Sequence, residues 1–186
     1  MHVPARSRVS LQSRMRVRAW IWAVCGIPCA ALASSHVARS LAERAKDADR
    51  VVLAQVIDSS VRVPGGDVRQ MTTVTTLAVR EHYKGAPAER LEVVQLGGTY
   101  GLWETRFAGD AVFDPGETVL VFLRCRDPSV PQRCNLVDLG AGKLRVEFQG
   151  ARQAVDDRGR QRALESIVDE VRQAPRLAVP VRGGKR

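Results

Sequence analysis

Runs of apolar residues divide the central part of the chain into strands. Residues 50–59 and 118–123 are almost continuously apolar and rich in β-branched side chains. Such runs are typical of strands that are covered on both faces, and the second run should be the most buried strand. Residues 68–83 alternate more regularly and follow a turn signal at 63–67. The first run and this one should therefore pair as a hairpin.

Shorter apolar runs predict the remaining strands. Residues 91–96 form a third strand that ends at a glycine pair. Residues 135–139 and 143–149 predict a second hairpin, because they flank a glycine-rich turn and the second run alternates apolar with charged residues. The segment around Val155 should add a short edge strand.

Helices are predicted at both ends of this β region. Ser40 followed by Glu43 matches a capping box, which predicts a short N-terminal helix. Residues 160–173 carry apolar side chains at helical spacing, which predicts an amphipathic helix that packs on the sheet. Its apolar stripe consists of Leu164, Ile167, Val168 and Val171.

These elements predict a mainly β (α+β) fold. Five to seven short antiparallel strands flanked by an N-terminal and a C-terminal helix are typical of a small OB-like barrel, and a β-sandwich is the alternative. Leu120, Phe122 and Val168 should lie in the core.

The N-terminal region has the organisation of an export signal. An arginine-rich stretch precedes the apolar run 19–33, in which Ala31 and Ala33 favour cleavage after Ala33. This run has about 15 residues, whereas a membrane-spanning helix needs ~20, so a signal peptide is favoured over a membrane anchor. Translation from Met15 instead of Met1 would shorten the signal. No integral membrane segment is expected after cleavage.

Residues 1–33 are predicted to be a signal peptide that is removed, and the rest of the chain is predicted to have two parts. Residues 34–174 are predicted to form a single β-barrel-like domain, and residues 175–186 a disordered basic tail. The protein should be exported from a bacterial cell to the periplasm or the extracellular space. The sequence does not set an oligomeric state.

The net charge of +9 lies at the two ends of the chain. Residues 1–33 and 175–186 contain basic but no acidic side chains, so the remaining residues carry as many acidic as basic ones. A domain without net charge lacks the basic patch that a phosphate backbone requires, which argues against a nucleic-acid partner. The tail is either solvated or in contact with anionic lipid.

Two cysteines remain after residue 33, Cys125 and Cys134. An even pair in an exported chain is most simply a disulfide, because the compartment is oxidising. Only His36 and His82 accompany them in the mature chain, too few for a zinc site with these cysteines. No metal and no cofactor is predicted.

Residues 97–116 form a long segment without a clear period, and they contain four of the seven aromatic residues after residue 33. Such a segment is either functional or folded back on the core. In one interpretation the rings plug an open end of the barrel. In the other, they form a contact surface for an envelope or extracellular protein or glycan, because aromatic residues and Arg are enriched in binding hot spots. The candidate binding residues are Tyr100, Trp103, Arg106 and Phe107.

Familiar catalytic motifs are missing from the sequence. His82 beside Glu81 could act with loop carboxylates, which gives an envelope hydrolase as one alternative function. The loop acids Asp110, Asp114 and Glu117 fit solvated turn residues better than a cation-binding loop. A non-catalytic binding domain of the cell envelope is therefore the favoured function, and a structural envelope component is a further alternative.

Several short motifs follow one another between residues 41 and 148. They are ADRVV at 48–52, TTLAVREHYKG at 75–85, LGG at 96–98, FDPGE at 113–117, VLVFL at 119–123 and GKLRV at 142–146. In this order they resemble uncharacterised exported bacterial β-barrel-like domain proteins, which implies a single exported domain and brings no catalytic residue. The first motif, and the run GETVLVF at 116–122 that joins the fourth and fifth motifs, are also similar to strands of netrin-type and metalloproteinase-inhibitor-type domains, which implies an OB-like barrel.

Overall fold

The computed structural model describes residues 39–174. The predicted signal peptide at 1–33 and the predicted basic tail at 175–186 lie outside the described residues. The described part contains two helices, α1 (Leu41–Asp47) and α2 (Leu164–Gln173), and ten strands. The strands are β1 (Arg50–Arg62), β2 (Thr72–Lys84), β3 (Arg90–Leu96), β4 (Gly98–Tyr100), β5 (Trp103–Thr105), β6 (Thr118–Arg124), β7 (Arg133–Leu136), β8 (Lys143–Gln149), β9 (Ala151–Val155) and β10 (Gln161–Ala163).

Eight of these strands form one mixed sheet in the order β1-β2-β3-β7-β6-β8-β9-β10, and β1 also pairs with β6. The pairings therefore lead from β1 through β2, β3, β7 and β6 back to β1. Strands β4 and β5 pair only with each other. The predicted mainly β fold with a helix at each end is confirmed.

Two details of the predicted sheet are wrong. The sheet is not entirely antiparallel, because β3 and β7 run parallel through the pairs Glu92–Arg133 and Val93–Cys134. The strand number exceeds the predicted five to seven, because β4, β5 and β10 have three residues each. Strands of that length are too short to show an alternating pattern in the sequence.

The predicted hairpin of the first two long strands is confirmed, since β1 pairs with β2 in antiparallel register. Its second strand begins at Thr72 rather than at residue 68. Residues 68–70 form a short 3-10 turn instead, and the Asp67 side chain caps that turn by accepting from Arg69 N at 3.0 Å.

Apolar side chains on the two faces of β1 and β6 belong to two different cores. Val51 and Leu53 face the two helices, whereas Val52 and Ala54 face the inside of the curved β1-β2-β3-β7-β6 layer. Burial on both faces explains why these strands are almost continuously apolar, as predicted. The predicted core residues Leu120, Phe122 and Val168 are buried in the core beneath the helices.

The predicted hairpin of residues 135–139 and 143–149 is wrong. Strand β7 pairs with β3 and β6, whereas β8 pairs with β6 and β9. The chain bends between them at Asp138 and Leu139, both of which have positive φ angles. Because of this bend, β8 pairs with a different part of β6 and does not pair with β7.

Both predicted helices are present, and one of them begins later in the chain than predicted. The Ser40 Oγ accepts from Glu43 N at 3.2 Å and the Glu43 carboxylate accepts from Ser40 N at 2.8 Å, so the predicted capping box is confirmed. Helix α2 buries the predicted apolar stripe but begins at Leu164, because residues 161–163 pair with β9. Neither helix of the described region has the length and hydropathy needed to cross a membrane.

Candidate functional site

The aromatic segment contains regular structure that its sequence does not reveal. Strands β4 and β5 form a small hairpin whose turn is Gly101-Leu102. The hairpin is attached to the β1–β2 hairpin at its base, where Gly97 N donates to Met71 O at 2.8 Å. A Cβ at Gly98 would lie 2.8 Å from a Val61 methyl group, so only glycine allows this close approach.

Three of the predicted binding residues expose their rings. Tyr100 is 56% exposed, Trp103 64% and Phe107 48%, so these rings do not plug the fold. Among the described residues, strands β4 and β5 pair only with each other, so no further strand extends this hairpin. Only Phe113, at the C-terminal end of the segment, lies in the interior. The fourth predicted residue, Arg106, is also exposed and forms an ion pair with Glu104 at 3.2 Å.

Exposed apolar side chains are concentrated in residues 96–112, which we call the apolar segment. Six of the nine large hydrophobic side chains exposed in the described region lie there, although the segment is only a small part of that region. Monomeric soluble domains rarely expose contiguous apolar surface without a use for it. The six residues are Leu96, Tyr100, Leu102, Trp103, Phe107 and Val112.

Sequence reasoning missed the aliphatic members of this surface. Leu102 is fully exposed at the hairpin turn. The signal that could have identified it is an apolar residue placed between glycine and tryptophan in a stretch without a core period.

The C-terminal end of the apolar segment is fixed by an ionic contact. Lys143 Nζ lies 2.6 Å from a Glu117 carboxylate oxygen and 4.9 Å from the centroid of the Phe113 ring, and it also donates to Val112 O. Both charged side chains are nearly buried, so the contact is shielded from water. It attaches the segment to β8.

The loop acids do not form a metal site. Glu117 is engaged by Lys143, and Glu117 N donates to Asp114 O at 3.0 Å in a turn. Across residues 39–174, no three His, Cys, Asp or Glu side chains are arranged to hold a metal ion. The predicted turn at Asp114 and Glu117 is confirmed, but Glu117 is not the solvated acid that was predicted, because its carboxylate is nearly buried against Lys143.

The residues of the alternative hydrolase do not come together. His82 Nε2 lies 3.1 Å from Ala88 O, and the neighbouring Glu81 carboxylate is bound by Arg152 and by the Tyr83 hydroxyl. His82 pairs in register with Val52, whereas Gly116 of the acidic loop hydrogen-bonds to Val56, four residues farther along β1. The acidic loop therefore does not supply a carboxylate to His82.

A cavity of 240 Å³ opens beside the apolar segment. Its wall is formed by side chains of β1, β2 and β3, and Phe113 and Ala111 contribute an apolar surface. Four polar residues of β1 to β3 line it, namely Ser59, Thr73, Thr75 and Gln95, and Thr99 and Thr105 of the small hairpin line it as well. Arg106 and Asp110 also line it. The sequence analysis did not identify the four polar residues.

Cys125 and Cys134 form the predicted disulfide, with their Cα atoms 4.2 Å apart. The bond connects the end of β6 to β7, and the Cys125 N–H also donates to the Asp49 carboxylate at 2.8 Å. Cys134 is buried in the core inside the curved layer. The disulfide therefore stabilises the region where β7 joins β3 to β6.

Comparison of the sequence with models of known protein families gives no match, and comparison with curated proteins gives none either. The function is therefore argued from the surface and the cavity described above.

Proposed function

We propose that this chain is an exported, non-catalytic binding domain of the bacterial cell envelope, and that its apolar segment contacts a partner protein or glycan. The observation that carries the proposal is the concentration of exposed apolar side chains in residues 96–112. Export through a signal peptide at 1–33, to the periplasm or beyond the cell, is supported by the disulfide, because such bonds persist in oxidising compartments.

The proposed scaffold is an OB-like barrel. The pairings that lead from β1 through β2, β3, β7 and β6 back to β1 support a five-stranded barrel, outside which β8 to β10 and the two helices pack. In such a barrel the apolar segment connects β3 to β6 at one end. Loops at the end of a rigid barrel are a common location for binding residues.

The chemistry of the apolar segment suits a binding surface. Trp, Tyr and Arg are the residues most enriched in binding hot spots, and Trp103, Tyr100 and Arg106 lie within seven residues of each other. The segment is held at both ends, by the hydrogen bond of Gly97 and by the ionic contact of Lys143. A surface that is already ordered loses less conformational entropy when it binds.

Affinity capture from envelope extract tests the proposal with two variants. Trp103→Ala should abolish capture of the partner, while the melting temperature falls little, because Trp103 is mostly exposed. Phe148→Ala is the matched control, since Phe148 is an exposed aromatic residue on β8, outside the apolar segment. It should capture the partner like the wild type. A stable Trp103→Ala protein that still captures the same partner would contradict the proposal.

A further inference from the structure

The inside of the curved layer changes from apolar to polar along its length. Near the start of β1 the inward side chains are Val52, Ala54 and Val56, which belong to the inner core. Farther along, the polar residues Ser59 from β1, Thr73 and Thr75 from β2 and Gln95 from β3 line the cavity, together with the apolar Val61 and Leu96. Polar residues at interior positions cost free energy unless they meet hydrogen-bonding groups. Their common orientation toward one cavity therefore requires an explanation.

Internal hydrogen bonds satisfy these polar groups only in part. The hydroxyls of Ser59 and Thr75 lie 3.1 Å apart, and Thr73 Oγ1 donates to Gly97 O at 2.9 Å. Gln95 Nε2 donates to Ala111 O at 3.0 Å, which leaves its side-chain oxygen without a partner among the described residues. Hydroxyl oxygens accept two hydrogen bonds each, so the wall retains capacity to accept. Thr75 is fully buried, so the acceptors that remain accessible belong to Ser59 and Gln95, which are both partly exposed.

The charge beside this wall is negative. Asp110 lines the cavity and is partly buried, and its carboxylate makes no hydrogen bond or ion pair within residues 39–174. Arg106, which also lines the cavity, is paired with Glu104. Lys143, near the same loop, is engaged by Glu117. The cavity thus offers acceptor oxygens and one uncompensated carboxylate, which is an arrangement that favours a cation.

The size of the cavity limits the ligand. Its 240 Å³ lies below the roughly 300–1,000 Å³ of pockets for drug-sized ligands, so it suits a single side chain. The apolar wall of Phe113, Ala111 and Val112 would contact an aliphatic stem, as Lys and Arg side chains provide.

We propose that this cavity binds the basic end of a Lys or Arg side chain that the partner inserts beside the apolar segment. The inference rests on the proposed function and specifies the chemistry of the partner. Asp110 pairs with the cation, and the hydroxyl of Ser59 and the oxygen of Gln95 accept its remaining N–H groups.

Small probes test the cavity without knowledge of the partner. The purified protein, labelled in its Thr and Val methyl groups, is titrated at constant ionic strength with n-butylammonium, n-butylguanidinium, 1-butanol and butyrate, and methyl NMR spectra are recorded. One or both cations should produce saturable shifts at Thr73, Thr75 and Val61, and which of the two binds tighter distinguishes Lys from Arg. The alcohol should bind at least about tenfold more weakly, because it lacks the charge-assisted hydrogen bond.

Two substitutions complete the test. Asp110→Asn keeps the shape of the side chain but removes its charge, and it should abolish the preference for the cations over 1-butanol. Asp114→Asn is the matched control, because Asp114 is an exposed acid of the same loop that does not line this cavity. It should leave the titrations unchanged. Melting temperatures establish that both variants are folded.

Several results would overturn the inference. They are equal shifts with 1-butanol, tighter binding of butyrate, no shift with any probe, or an Asp110→Asn protein that binds the cations like the wild type. If Asp110→Asn fails to fold, the four probes on the wild type still decide. Failure here is separable from failure of the proposed function, because loss of capture by Trp103→Ala would stand whether or not the cavity takes a cation.

Discussion

One buried and one exposed phenylalanine, Phe122 and Phe148, allow a direct test of the fold. Phe122 in β6 is fully buried between the sheet and the helices, whereas Phe148 in β8 is 70% exposed. A Phe side chain has roughly 200 Å² of surface to bury. At ~25 cal/mol per Å², removing Phe122 costs up to about 5 kcal/mol, in line with the ~3–5 kcal/mol of buried Phe→Ala changes.

The same arithmetic gives a much smaller effect at Phe148. Its covered fraction corresponds to about 60 Å², so Phe148→Ala should lower the free energy of unfolding by no more than about 1.5 kcal/mol. Both variants lose the same atoms, and their difference therefore isolates burial. The expected gap between them is at least about 1.5 kcal/mol.

Urea denaturation followed by circular dichroism measures this gap. Phe122→Ala should shift the midpoint strongly, and the dependence of the free energy on urea should stay close to that of the wild type if both variants unfold in one step. Equal destabilisation by the two substitutions would refute the assignment of β6 as a strand covered on both faces. So would a Phe122→Ala protein as stable as the wild type.

Two further predictions follow from the disulfide and from Tyr83. Replacement of Cys125 and Cys134 by Ser should lower the free energy of unfolding by about 2.7 kcal/mol, from the entropy of closing a short loop; equal stability of the oxidised and the double-Ser protein would contradict this. Burial, and next the hydrogen bond to Glu81, raise the pKa of Tyr83 to about 12, so the stability it contributes is complete below its ordinary pKa of 10 and is lost as the pH rises through about 12. Absorbance titration of a Tyr100→Phe variant, in which Tyr83 is the only tyrosine, measures that pKa. Adding Glu81→Gln should move the pKa of Tyr83 back toward 10. A midpoint at the ordinary pKa in the Tyr100→Phe protein would show the prediction to be wrong.

Strands with a strong burial requirement could be predicted from the sequence. The runs that became β1 and β6 are mostly apolar because each packs against a core on both faces. The stripe of α2 could be predicted for the same reason, since one face of the helix is buried along its whole length. In each case the pattern arises from the contact that stabilises the element.

The connections between strands could not be predicted in this way. The parallel pairing of β3 with β7 consists of two residue pairs, Glu92–Arg133 and Val93–Cys134. The sequence of neither strand indicates its pairing partner. Alternation predicts which face of a strand is buried, but it does not predict whether two strands pair parallel or antiparallel. The short hairpin of β4 and β5 could not be predicted for a related reason, since a strand that is exposed on both faces has no apolar period.

The candidate binding residues could be predicted from the composition of their segment, whereas the cavity beside them could not. Tyr100, Trp103, Arg106 and Phe107 were selected because aromatic residues are concentrated there, and all four are exposed, as a contact surface requires. Whether they bind a partner remains a prediction for the capture experiment. The polar cavity beside them was not predicted, because its residues come from three strands that are far apart in the sequence.

A single extra residue in β1 explains why the cavity is difficult to recognise. Strict alternation after Val52, Ala54 and Val56 would turn Asp58 and Ser60 inward, and a carboxylate in the core would be costly. The register with β2 instead skips Ile57, which is half exposed, so the strand bulges there and Asp58 points outward. After the bulge, Ser59 lines the cavity and takes the position that alternation assigns to the acid. The bulge therefore excludes the strand's own acid from the cavity and leaves Asp110, from the apolar segment, as the carboxylate that lines it.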